Sequence, residues 1–129
     1  MYIFWKLRKE NKIPKVQMIL DSPEGASILK LFKNNREWHK LSRQECKEMC
    51  SDFHIVKSYK ETIKLRDNNI PKIVIAGSGM LTGGRILNYL EKEAEKSKNT
   101  LLFVGYQAKG TRGRKLLEGE KELVVYGKT

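Results

Sequence analysis

Histidine and cysteine are scarce in this sequence, with two of each in 129 residues. The histidines, His39 and His54, form no ligand pair with familiar zinc spacing. Cys46 and Cys50 lie four apart in "QECKEMC". Neighbours at that spacing on one helix face rarely meet disulfide geometry, so reduced thiols are expected, and no cofactor or metal is expected in this chain. Long apolar runs are also missing. None approaches the roughly 20 residues of a membrane span. The opening "MYIFWKLRKENK" has no charged leader and no small-residue cleavage site, so it does not read as a signal peptide. The expectation is a cytoplasmic chain with no membrane partner. No internal repeat or low-complexity tract stands out.

What the sequence has in excess is positive charge. Lys and Arg number 26 against 15 Asp and Glu, a net charge of +11 with an isoelectric point near 9.7. That balance suits a polyanion partner. The competing reading is a solvated surface, since stretches such as "LEKEAEKSK" mix both signs along one helix face. The hydrophobic fraction of 40% and charged fraction of 32% are those of an ordinary globular protein. The length suits a single domain over 1–129.

Apolar runs alternate with helical patterns. The opening "YIFWKLRKEN" reads as a helix stopped by Ile13-Pro14. Strands are predicted at 15–22, 54–58, 72–77, 100–106 and 122–128. Helices are predicted at 23–39, 59–69, 83–96 and 111–120, with a short helix or helical loop at 41–53. In the 23–39 helix Ile28, Leu31 and Phe32 fall at helical spacing with Leu29 flanking. In the last helix Leu116 and Leu117 are expected inward. "KIVIAG" (72–77) is apolar on both faces, as a central parallel strand should be. Strict alternation predicts an α/β fold, Rossmann-like or flavodoxin-like. Its sheet would be mainly parallel, of about five strands, with helices on both faces.

The segment "GSGMLTGGR" (77–85) leaves one of these strands and enters a helix. Four of its nine residues are Gly. Such a turn lets an anion approach backbone N–H groups beside a helix N-terminus. The dinucleotide pattern fails, because Thr82 stands where a third Gly is needed. The phosphate-loop pattern is met at Gly79 and Gly84 but continues Arg85-Ile86, without the hydroxyl that holds magnesium. A plain tight turn explains two glycines more easily than four. The next strand also leaves through glycines, in "FVGYQAKGTRGRKLLEG", with Gln107, Thr111, Arg112 and Arg114 at the turn. Two adjacent strand ends would present Ser78, Arg85, Arg112 and Arg114 toward one crevice, and Arg suits bidentate phosphate contacts.

Together, "IVIAGSGMLTGGRILNYL" and "LLFVGYQAKGTRGRKLLEG" resemble the β-CASP region of metallo-β-lactamase-fold RNA nucleases. That family includes the cleavage-and-polyadenylation endonuclease. "WKLRKENKIPKVQMILDSP" resembles the helix, strand and Asp-Ser-Pro turn that open the same region. Two positions depart mildly. The family often has Ser where Gly77 stands, and Met where Glu24 follows Asp-Ser-Pro. Glu24 would repel a phosphate at that turn.

The resemblance implies an RNA-binding, substrate-clamping module of a zinc-dependent ribonuclease (a hydrolase) that cleaves phosphodiester bonds. It implies substrate contacts by Ser78, Gly79, Met80, Gly83, Gly84, Arg85, Gln107, Thr111, Arg112 and Arg114. Gly105, Gly110 and Gly113 would shape the second turn. The zinc-binding His-x-His-x-Asp-His motif of the family is absent. A fragment of a longer nuclease is therefore expected, the alternative being a short standalone homologue that has lost the catalytic domain. It would be inactive alone, with no catalytic or metal residue of its own, and zinc would belong to the parent enzyme. Its expected partners are RNA and the metallo-β-lactamase domain. A homodimer through the bulky "YIFW" segment is the remaining expectation. Two other readings stay open: a nucleotide-binding Rossmann-like domain, and a protein-interaction domain.

Overall fold

The structure is a computed structural model that describes residues 1–129. Its elements run α1 (Tyr2–Lys9), β1 (Gln17–Asp21), α2 (Pro23–Asn34), a 3-10 turn (Arg36–Trp38), α3 (Arg43–Asp52), β2 (Phe53–Ile55), α4 (Tyr59–Asp67), β3 (Lys72–Ala76), α5 (Ile86–Glu93) and α6 (Arg112–Leu117). The three strands form a small open parallel sheet in the order β2-β1-β3. β1 and β2 pair with Met18, Ile19 and Leu20 opposite Phe53, His54 and Ile55. No helix is long and apolar enough to cross a membrane. The chain divides into two compact units. One comprises Met1–Ser58 and Asn69–Ile75, the other Tyr59–Asn68 and Ala76–Thr129.

In the first unit β1 is the central strand. Met18, Ile19, Leu20 and Asp21 are all 3% exposed or less. Around it pack Trp5 of α1, Leu29 of α2, Cys46, Met49 and Cys50 of α3, and Phe53. α1 carries Lys6, Arg8 and Lys9 in its last turn, where cations suit the helix dipole. It stops before Asn11, which takes the left-handed conformation at φ 55°. That stop precedes the expected Ile13-Pro14. Ser22 caps α2 by accepting from the Gly25 N–H at 3.0 Å, and Pro23 takes the first helical position. Glu24 sits in that first turn, where the dipole favours it. α3 opens with a capping box, Ser42 and Glu45 each bonding the other's backbone. The region 41–53, expected as a short helix or helical loop, thus holds a regular helix over Arg43–Asp52.

Several sequence expectations are corrected here. The predicted 23–39 helix ends at Asn34, and a separate 3-10 turn follows. Ile28 and Leu31 are 64% and 54% exposed, while Leu29 is buried. Gly25 explains the choice of face. A Cβ at Gly25 would lie 3.2 Å from the Leu20 side chain, so α2 rests on β1 along the Gly25–Leu29–Phe32 stripe. β3 is an edge strand rather than a central one, and its residues are only half-buried. In α1, Tyr2 and Ile3 are exposed while Trp5 is buried.

In the second unit Leu81, Leu87, Leu90 and Val125 form the core, with Ile86, Phe103 and Leu116 against it. The expected strand 100–106 is not part of the sheet. It has no ladder partner, and Val104 is 91% exposed. The expected strand 122–128 reduces to one bridge, Val125 to Lys128. An apolar run becomes a strand only when a neighbouring backbone takes its hydrogen bonds, so the count is three and not five. Leu116 packs inward as expected, but Leu117 is 61% exposed.

Candidate nucleic-acid interface

The glycine-rich loop leaves β3 and closes on itself before α5. The Ile86 N–H donates to the Gly77 carbonyl at 2.8 Å. Gly84 makes that closure possible. Its φ is +73°, and a Cβ there would sit 2.6 Å from the Gly77 oxygen. Only glycine fits both conditions. Leu81 also has positive φ, 57°, yet its side chain is buried in the unit's core. A leucine in that region is uncommon and costs energy. Core burial of its side chain offsets the cost and anchors the loop's middle. At the loop's near end the Ser78 and Thr82 hydroxyls lie 2.9 Å apart, and the Thr82 N–H donates to the Ser78 hydroxyl.

The second turn grips this loop by its carbonyls. Gln107 is buried and donates from its side-chain amide to the Gly79 carbonyl at 3.0 Å and the Gly105 carbonyl at 3.1 Å. The Gly113 N–H donates to the Met80 carbonyl at 3.1 Å. Arg112 donates to the Leu81 carbonyl at 3.1 Å and, through Nε, to the Val124 carbonyl at 2.7 Å. Three consecutive carbonyls, 79 to 81, are therefore held from one side. Thr111 caps α6 by accepting from the Arg114 N–H, and its hydroxyl donates to Ala108.

The N–H groups of Gly79, Met80, Gly83 and Gly84 donate to no group of the chain. A Cβ at Gly79 or Gly83 would meet nothing within 4 Å. The chain's own packing thus does not require glycine at those two positions.

The structure brings the two predicted turns together, but it employs their cations differently from a simple anion pocket. Arg112 is committed to backbone carbonyls and braces the loop. Arg114 pairs with Glu118 at 2.6 Å, a contact that raises the pKa of its guanidinium. Arg85 lies over the Tyr59 ring, 5.0 Å from its centroid. Gln107 is a buried tie between turns rather than an exposed side chain. Beside α6 lies a cleft of about 380 Å³ lined by Thr82, Thr111, Arg112, Lys115, Glu122 and Val124.

Sequence reading did not single out Asn88, Tyr59 or Tyr126. Asn88 is 2% exposed on the apolar face of α5. It accepts from the Tyr59 hydroxyl at 2.7 Å and donates to the Arg85 carbonyl at 3.2 Å. A polar residue inside the stripe Ile86, Leu87 and Leu90 was the available signal, since a buried amide needs partners. Tyr126 neighbours Tyr59. Burial first, then the Tyr59 hydroxyl and the Glu91 carboxylate, raises its phenol pKa.

Residues 1–116 match the Beta-Casp domain model. The chain belongs to the Beta-Casp domain family. It is similar to Transcription termination factor FttA of Methanosarcina mazei, 43% identical over 126 residues, covering 93% of this chain and 20% of that protein. The FttA of Methanocaldococcus jannaschii is 47% identical over 73 residues, 57% of this chain and 12% of that protein. Ribonuclease TTHA0252 of Thermus thermophilus is 29% identical over 129 residues, 91% of this chain and 28% of that protein. The Beta-Casp chain thus spans less than a third of the length of each of these relatives.

The zinc that the family resemblance implies finds no ligand set in this Beta-Casp domain. No three His, Cys, Asp or Glu side chains converge. Both ring nitrogens of His39 are engaged, one with the Phe32 carbonyl and the other with the Leu41 N–H. Cys46 and Cys50 are free and buried. Burial, and then the neighbouring Cys46, pushes the Cys50 thiol up to about 11. A metal ligand needs a thiolate, which that environment disfavours.

Proposed function

We propose that this Beta-Casp domain holds the backbone of single-stranded RNA for a zinc-dependent ribonuclease, whose metal and hydrolytic chemistry belong to a metallo-β-lactamase domain of the parent enzyme. The observation that carries the reading is the polarity of the glycine-rich loop. The second turn takes the carbonyls of 79 to 81, and four amide N–H groups are left for an outside acceptor. Gly79 and Gly83 face open space, so a phosphate can approach the backbone closely. Arg85 adds a cation beside them, and the chain's excess of positive charge favours a polyanion over a small neutral ligand. The names of the relatives, a ribonuclease and transcription termination factors, agree with an RNA-processing role.

In this role Ser78, Gly79, Met80, Gly83, Gly84 and Arg85 contact the strand. Gln107, Thr111 and Arg112 hold the loop in shape, and Arg114 acts from the rim. No residue of the chain performs hydrolysis. Ser78 has Thr82 as its hydroxyl partner and no base within the loop.

Binding measurements test the reading. Fluorescence anisotropy of this chain with a single-stranded RNA dodecamer should show affinity that falls steeply between low and high salt. Mono- and dinucleotides should compete poorly. Tight binding of a free nucleotide with no RNA affinity would favour a nucleotide sensor instead.

A further inference from the structure

Two neighbouring tyrosines of the second unit are held outward, one of them against the glycine-rich loop's arginine. Tyr59 opens α4 and is 53% exposed. Tyr126 sits in the terminal turn and is 54% exposed. Large aromatic rings usually hide most of their surface in a core. Neither of these does, and both are fixed in place.

Tyr59 is fixed at its hydroxyl by Asn88 and on one ring face by the Arg85 guanidinium. Asn88 is buried, and its own amide reaches back to the Arg85 carbonyl. The ring, the amide and the arginine backbone thus form one closed chain of contacts. Tyr126 is fixed by its backbone. Val125 is drawn into the core while Val125 and Lys128 exchange two hydrogen bonds, at 2.8 Å and 3.0 Å. Tyr126 and Gly127 form the tight turn between them, at φ 51° and 75°, and the Tyr126 side chain is left 54% exposed. Lys128 in turn pairs with Glu91 of α5 at 2.7 Å, which ties this turn to the helix that follows Arg85. The result is two exposed, neighbouring rings, one of them lying under the Arg85 guanidinium.

We propose that Tyr59 and Tyr126 stack the bases of the single-stranded RNA whose backbone Arg85 holds. This rests on the RNA reading above and adds the base-binding side chains to it. Every base has a flat apolar face, and ordered aromatic rings beside a cation take such faces without reading sequence. Asn88, which holds the Tyr59 hydroxyl, has both its oxygen and its nitrogen engaged within the chain. It therefore offers no base edge a partner. The platform accordingly ranks bases by ring size and not by hydrogen-bond pattern.

The test uses this chain, a single-stranded RNA dodecamer, and a dodecamer of the same charge carrying abasic nucleotides. Tyr59→Leu is expected to weaken binding of the normal RNA about tenfold, as one lost base stack would. Binding of the abasic strand should stay unchanged. Tyr126→Leu should act in the same direction. Neither change should alter the salt slope, because no phosphate contact is removed. If both folded variants bind both RNAs as the parent chain does, or lose affinity equally for both, the stacking assignment is overturned. If Tyr59→Leu does not fold, Tyr126→Leu decides alone. If the parent chain binds neither RNA at low salt, the RNA reading itself has failed, and this inference fails with it. If it binds the two RNAs equally well, the RNA reading stands and the stacking assignment alone is overturned.

Discussion

The side-chain amide of Gln107 donates to the Gly79 carbonyl at 3.0 Å, joining two turns that lie 28 residues apart in sequence. The same amide holds Gly105, and its oxygen is buried against Gly113 without a donor. Gln107→Ala should therefore lower stability by about 1–3 kcal/mol, since buried carbonyls lose their partner. The urea midpoint should fall with an unchanged slope. A midpoint equal to the parent's would mean that the tie does not hold the loop.

Two glycines of this site separate packing from ligand access. A Cβ at Gly113 would run into the Gln107 side-chain oxygen and lie 3.2 Å from the Met80 carbonyl. Gly113→Ala should destabilise by about 1–3 kcal/mol through overpacking. Gly79→Ala meets nothing within 4 Å. Its stability should stay within about 0.5 kcal/mol of the parent's, while RNA affinity falls because the new methyl blocks close approach. Thermal melts and anisotropy on the same two proteins check both halves.

Arg85→Ala should weaken RNA binding and reduce the salt slope by about one unit for the lost phosphate contact. Arg85 is half-buried over Tyr59, so the change should also cost about 0.5–1 kcal/mol of stability. A protein that unfolds, with full affinity in its folded fraction, would make Arg85 purely structural.

Acid should loosen the contact between α4 and α5. Asp67 accepts from Arg66 and from Lys92 of α5, each at 2.9 Å. These cations hold its carboxyl down at about 2, below the ordinary 3.8. A folded pKa below the unfolded one gives stability above about pH 4, lost as pH falls toward 2. Asp67→Asn should flatten that part of the acid limb in melting temperature against pH. An unchanged limb would show that the pair contributes nothing.

The Cys50 thiol, pushed up to about 11 by burial and by Cys46, should be unreactive toward a thiol reagent at pH 7. Cys46 is buried beside it. Reagent should count no fast thiol in the native protein and two after unfolding. A fast native reaction would contradict the packing of α3.

Much of the local order was legible in the sequence. Ser22-Pro23 announced the start of α2. The run "KIVIA" announced β3, and the two glycine-rich stretches announced both turns and the family. These are local signals: caps, apolar runs and residues that alone permit certain backbone angles. The face of α2 was not legible. Ile28 and Leu31 form as good a helical stripe as Leu29 and Phe32, and only the close approach at Gly25 chooses between them. Strand number was not legible either. "TLLFVGY" has strand composition, but a ladder needs a second backbone in register, which composition does not supply. The arginines show the same divide. Sequence placed Arg85, Arg112 and Arg114 near a turn and could say nothing of what each would meet. Tertiary structure gave Arg112 to backbone carbonyls, Arg114 to Glu118, and Arg85 to the ring of Tyr59. Long flexible side chains are settled by the acceptors or rings near them in space, and those neighbours are 26 residues away in sequence for Arg85 and 12 and 31 for Arg112.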